Sequence, residues 1–424
     1  MESAHELGPA RPNVWREAWS LLRRNADFRL FFLGQLISFG GDWFLIVALS
    51  GLVLRLTHSA ALVTAVFVAY NLPYGIVSFV GGPLADRLDR RRLMIVTNVV
   101  MGALALGFFL VHTRSELWLV YVLAAGISAV SAIFEPAASA AVPNLVDPED
   151  LAAANMLSGS AWGTMLAVGA GIGGLVVGAY GNDAGYLIDA LSFFVAAALL
   201  LWVRRATSQA RPEHEERPGL VEATREAVAY ARRDHRVLAL FAVRLGAGFA
   251  IGVVALLPVI AIRVFHAGDR GTGLLFGMRG VGSLIGPFLI RPMIRRDDQR
   301  RLFTAVVWTP AIFALLYVAL AWMPGILLAG AAAIAAHLAG GAQWTLVTYS
   351  YQSMVPDRVL GRVFGFDGAL ITFTLSASNA LCGWLAGVVG VRATMTGVGV
   401  VVALYAGLVW GLSRRLRRSI AATR

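Results

Sequence analysis

Twelve apolar runs, each long enough to cross a bilayer, leave this chain little choice of environment. They occupy residues 28–54, 60–80, 93–112, 118–142, 156–180 and 186–203, then 237–262, 273–290, 302–322, 326–348, 364–389 and 394–412. Hydrocarbon offers no water to a peptide group, so a spanning segment must be a helix or belong to a closed barrel. The runs are continuous rather than alternating, which selects helices. The fold class expected is therefore an all-α polytopic membrane protein with twelve transmembrane helices. Hydrophobic residues at 58% and charged residues at 14% agree with that class and overrule the two to four soluble domains that 424 residues would otherwise suggest.

All 36 basic residues are arginine. With both termini on one side, twenty-nine of them fall on that side and five on the other, while Arg244 and Arg279 lie within spans. The positive-inside bias then makes both termini cytoplasmic. The net charge of +11 reflects this orientation and anionic headgroups, not nucleic acid. Residues 1–13 carry acids and prolines without an apolar run, so no cleaved signal peptide is expected. Cys382, the single cysteine, sits within an apolar run and reads as packing.

Five regions follow: a lead-in (1–27), a six-helix bundle (28–203), a charged linker with an amphipathic helix (204–236), a second six-helix bundle (237–412) and a basic tail (413–424). Val142-Pro143-Asn144 entering span 5 and Val355-Pro356-Asp357 entering span 11 are 213 residues apart, nearly half the chain, which suggests two related halves.

Few charges enter the spans. Asp42, after Gly40 and Gly41, lies about halfway across span 1, where insertion scales charge a carboxylate about 2.5–3.5 kcal/mol. It should face a polar interior, serving helix packing or, as intramembrane acids favour, function. Glu135 in span 4 lies nearer the cytoplasmic end, where a structural and a functional role are equally open. Asp189 reads as headgroup-level, about one turn inside span 6. In the second half Arg244 either snorkels or lines a cavity, His337 is either a packing residue or a ligand or proton relay, and Trp344 shares span 10 with it. Asp367 falls in the first turns of span 11.

Between spans 2 and 3 stands Gly82-Pro83-Leu84-Ala85-Asp86-Arg87-Leu88-Asp89-Arg90-Arg91-Arg92, which reads as a tight charged turn at the membrane surface. Its wording, G-x-L-A-D-R-x-x-R-R, closely resembles the loop between spans 2 and 3 of major facilitator superfamily transporters, with Asp89 where that family usually has a small residue. The resemblance implies two pseudo-symmetric six-helix halves and a cytoplasmic gate latch built from Gly82, Leu84, Asp86, Arg87, Arg90 and Arg91. Asp86 would face the start of span 11, and the arginines could pair with Asp147, Glu149 or Asp150. Gly169, Gly173 and Gly174 resemble the superfamily's span 5 antiporter motif, with Ala170 in place of its proline; plain close packing explains them equally well. The segments Asn25 to Arg29 and Val355 to Val363 look like those of proton-coupled bacterial drug exporters related to macrolide-efflux and enterobactin-export proteins.

In that family spans 1, 4, 7 and 10 line the central cavity, and Asp42, Glu135, Arg244 and His337 fall on those four spans. The resemblance thus implies a secondary transporter of the bacterial inner membrane, acting as a monomer, that exports small amphiphilic molecules in exchange for protons. Asp42 or Glu135 would carry the proton, and Arg244, His337 and Trp344 would line the substrate cavity. A siderophore or other natural-product exporter, or a lysophospholipid carrier, of the same fold is the alternative. The chain holds no metal-ligand cluster, nucleophile motif or phosphate loop, so neither an enzyme nor a metal or other cofactor is expected, the proton gradient being the energy source.

Overall fold

The computed structural model describes residues 14–207, 220–290 and 299–413. Every regular element among them is helical, and twelve helices are long and apolar enough to cross a membrane. Spans 1 to 6 are Ala26–Thr57, Ala60–Ser78, Arg90–Leu110, Arg114–Leu145, Pro148–Tyr180 and Asn182–Trp202. Spans 7 to 12 are His235–Arg263, Gly268–Leu289, Arg301–Trp322, Ile326–Met354, Val359–Val388 and Val391–Leu412. An even number of spans puts both chain ends on one face, called here the terminal face; the other is the distal face.

Short polar side chains set where helices begin. Asn25, Ser59 and Asp89 each accept a hydrogen bond from a backbone N–H three residues on, at 2.9, 3.3 and 2.8 Å, so the orphan donors of spans 1, 2 and 3 are capped. Asn25 also donates to the Leu145 carbonyl at the end of span 4, fixing the lead-in helix Val14–Arg24 against the bundle.

The stretch 82–92 is not a turn throughout. The helix of span 2 continues to Arg87, and only Leu88 and the cap Asp89 separate it from span 3. Pro143, expected just beyond span 4, lies inside its helix, which runs to Leu145. Span 7 is interrupted instead: a 3-10 segment, Gly252–Leu256, joins His235–Ile251 to Leu257–Arg263, whose second residue is Pro258. Ser378 of span 11 donates to the Phe249 carbonyl at 2.7 Å, taking over an acceptor beside this break.

The two halves repeat one another. Span 2 packs on span 4 and span 3 on span 6, as span 8 packs on span 10 and span 9 on span 12; spans 1 and 5 correspond likewise to spans 7 and 11. The halves then join along two equivalent seams, span 5 with span 8 and span 2 with span 11. Between them in sequence, the helix Leu220–Arg233 buries Ala227 and Ala231, and its Glu226 pairs with Arg362 of span 11.

Missing side chains make the seams close. A methyl on Gly174 would lie 2.6 Å from the Gly273 Cα, one on Gly280 2.6 Å from the Ala167 Cα, and one on Gly75 2.6 Å from the Thr372 Cγ2. Lipid tails are as apolar as any side chain, so such backbone contact rather than water exclusion holds the seam. The contact is one-sided. The distal half of span 7, Leu257–Arg263, packs mainly on span 8 and also reaches spans 1 and 2, whereas its terminal half packs on spans 9, 11 and 12 of its own bundle. Among the described residues, span 7 thus bridges the two halves near the distal face.

Gly280→Leu should overpack the seam and lower the unfolding midpoint in detergent, on the scale of about 1–3 kcal/mol. Gly171→Ala, on the same span 5 but with open space at its Cβ, should leave the midpoint unchanged or raise it.

Candidate functional site: a charged cavity between the halves

A cavity of about 350 Å³ lies between the two bundles, lined from spans of both halves. Its charged lining residues are Asp42 on span 1, Glu135 on span 4 and Arg279 on span 8. Aromatic rings, among them Trp43, Phe67, Phe134 and Trp162, supply most of the apolar wall. Such a wall with a few polar groups suits an amphiphilic guest.

Asp42 faces the cavity because the residues beside it are too small to keep span 1 away from its neighbours. A methyl on Gly169 of span 5 would lie 3.2 Å from the Gly40 Cα, and one on Gly41 would lie 2.9 Å from Asp189 Oδ1 on span 6. Spans 5 and 6 thus press against the glycine side of span 1, and the carboxylate turns the other way. Glu135 precedes Pro136, which has no N–H to return to the helix, so span 4 carries a local weakness at this acid.

Asp189 is not at headgroup depth. It lies seven residues beyond Asn182, about 10 Å into its helix, and is fully buried with neither carboxylate oxygen bonded. Asp42 lies within electrostatic reach of both Asp189 on span 6 and Glu135 on span 4, so three acids gather in this part of the first half. The Tyr70 hydroxyl lies in the field of Asp42 and Asp189 and is itself unbonded. The proximity of span 6 to Gly41 was the missing information; a position count along span 6 alone does not contain it.

Three residues expected in the cavity lie elsewhere. Arg244 is buried in the second half with Asp367, at 2.7 Å between Nη2 and Oδ2, and Tyr351 donates to the other carboxylate oxygen at 2.9 Å. Trp344 stacks on that guanidinium at 4.6 Å. His337 is held by Ser283 at 3.1 Å and Tyr317 at 2.9 Å, edge-on to Phe313. None of the three lines the cavity described above. A buried charge is tolerable when paired, and Arg244 found its acid inside its own bundle. The cavity's cation is Arg279, whose Cζ lies 5.8 Å from the Trp43 ring and 5.6 Å from Phe276.

The span 5 glycines divide between two partners: Gly169 and Gly173 meet Gly40 and Phe44 of span 1, and Gly174 meets Gly273 of span 8. Of the loop motif, Leu84 packs against the main core. Arg90 donates to the Ala140 carbonyl at 2.8 Å, and Arg91 to Leu200 at 2.8 Å and to Leu201. Two of the three acids expected as partners are engaged by other arginines, Asp147 by Arg205 and Asp150 by Arg24. The side chains of Gly82, Asp86 and Arg87 lie outside the described residues. At the distal face, Arg55 of span 1 pairs with Asp269 of span 8 at 2.7 Å and also holds Asn182.

Asp367→Asn should strand the Arg244 charge and destabilise the fold by about 3–5 kcal/mol, read as a large drop in unfolding midpoint. Asp189→Asn strands no ion and should hold the midpoint at or above that of the unaltered protein.

With this geometry in view, comparison with known proteins is direct. The profile described as transmembrane secretion effector matches residues 16–423. The MFS-type transporter YfiS of Bacillus subtilis (strain 168) is 25% identical over 382 residues, covering 88% of this chain and 89% of its own. Macrolide efflux protein A of Streptococcus pyogenes is 23% identical over 368 residues, covering 86% and 90%. A bacterial homologue of the human lysosomal transporter Spinster, solved inward-facing and unoccupied, superposes with a TM-score of 0.70 at 13% identity over 97% of this chain and 99% of its own. The chain belongs to the transmembrane secretion effector family of major facilitator transporters, a family of membrane carriers rather than enzymes.

Proposed function

We propose that this protein exports small amphiphilic molecules from the bacterial cytoplasm across the inner membrane, in exchange for protons, as a monomer with both termini cytoplasmic. The observation that carries the reading is the pair of carboxylates, Asp42 and Glu135, on the wall of a cavity between the two halves. The arginine excess on the terminal face supports the orientation, and the efflux role in the name of a relative supports the direction.

A guest enters the cavity from the cytoplasm. Its arrival displaces the proton held by Asp42 or Glu135, which leaves on the cytoplasmic side. The halves then rock along the seams of spans 5 and 8 and spans 2 and 11, breaking the Arg55–Asp269 pair and closing the terminal face through the Asp86 and Arg87 region. An external proton neutralises the acid and releases the guest outside. A neutral carboxyl can be enclosed in the dry, resealed cavity, which is why the empty carrier returns protonated. The acid thereby couples two flows without any new covalent bond or bound cofactor.

Susceptibility profiling of an efflux-deficient host, with and without the protein, should show protection against amphiphilic antibiotics and dyes. Everted vesicles should then show proton release coupled to dye uptake. Asp42→Asn should cut coupled transport at least tenfold with normal membrane insertion, and unchanged transport would remove Asp42 from the coupling role. Asp269→Asn should weaken distal closure. Cysteines placed near Asn182 should then label faster from outside, against a background in which the native Cys382 is buried.

A further inference from the structure

We infer that the cavity is built for a dipolar guest, a zwitterionic amphiphile whose carboxylate docks on Arg279 and whose ammonium group docks on Asp42 and Glu135. The inference rests on the cavity being the transport site and names the chemical class that site selects.

Arg279 lies eleven residues beyond Gly268, about 16 Å into span 8 and so near mid-membrane. Among the described residues no acid pairs with it, although the cavity wall holds two carboxylates, and its Nε has no partner. The other intramembrane arginine, Arg244, shows what a structural cation looks like here, since it is paired and hydrogen-bonded within one bundle. Arg279 is held differently. Trp43 from the first half and Phe276 from its own half lie against the guanidinium, an arrangement that steadies a cation through ring faces while using none of its N–H donors. Arg279 is on the cavity wall with its Nε unbonded, and a guanidinium with free donors takes a carboxylate by two parallel bonds.

The two acids are placed for the opposite pole. Neither is salt-bridged to Arg279, so the cavity keeps separate positive and negative walls rather than one neutralised pair. A purely cationic guest would satisfy the acids and leave Arg279 unpaired; an anionic one would do the reverse. A zwitterion satisfies both, and its apolar body meets the rings between. Removing a buried polar partner is penalised more than adding apolar contact is rewarded, which gives the selection its strength.

The test uses the purified full-length protein in detergent and three probes with one aromatic body: diphenylalanine dipeptide, its carboxamide (cationic) and its N-acetyl form (anionic). Binding is read through tryptophan fluorescence, Trp43 and Trp162 being in the cavity wall. The dipeptide should bind at least tenfold more tightly than either singly charged form. Arg279→Gln should weaken the dipeptide and the N-acetyl form tenfold or more and leave the carboxamide within twofold; Arg279→Lys should recover part of the loss. Equal binding of carboxamide and dipeptide, a uniform loss of all three in Arg279→Gln, or no binding of any probe overturns the inference. Binding in detergent needs neither gradient nor direction, so that failure leaves proton-driven export standing, and loss of efflux in cells leaves the charge selection standing.

Discussion

An ion in hydrocarbon must be paired, hydrogen-bonded or wetted, and this molecule uses each solution at a different level of the membrane. Arg244 and Asp367 neutralise each other inside the second bundle. Arg90 and Arg91, at the terminal ends of the spans, spend their donors on carbonyls at the ends of spans 4 and 6. Asp42, Glu135 and Arg279 take the third route and face a common cavity. The cavity is thus the place where the fold leaves charges uncompensated by one another.

That site can exist only because the halves touch without interlocking. Glycine contacts on span 5 bring its backbone against span 1 on one side and span 8 on the other, so one helix both shapes the wall behind Asp42 and forms the seam. Small residues on both sides let the backbones approach closely and leave few side chains to interlock. The ion pair Arg55–Asp269 adds a directional contact at the distal face, where solvent limits its strength and makes it breakable. The distal face thus carries an ion pair beside a close-packed glycine seam.

Asp189 stands behind the cavity wall, within electrostatic reach of Asp42. Neither carboxylate oxygen of Asp189 has a hydrogen-bond partner among the described residues. A carboxylate that no cation compensates is a poor structural element, which sets it apart from Asp367, equally buried but doubly bonded. Two intramembrane acids of similar burial therefore have opposite meanings, and their partners alone distinguish them.

The amino-acid sequence by itself determined the number of spans, their order and the side favoured by arginine, because hydrophobic length and charge asymmetry are local quantities that lipid reads directly. It also determined that Asp42 sits mid-membrane, since depth is a count of residues along a helix. What only the tertiary structure decided is direction around each helix axis. Arg244 and Arg279 look alike as single cations in apolar runs, and Asp189 looks shallower than it is. Rotation of each helix, the break at Gly252 and the glycine contact at Gly41 settle which of them meets an acid, which meets the cavity and which meets neither. Those choices are made by packing between segments far apart in the chain, and periodicity within one segment carries no trace of them.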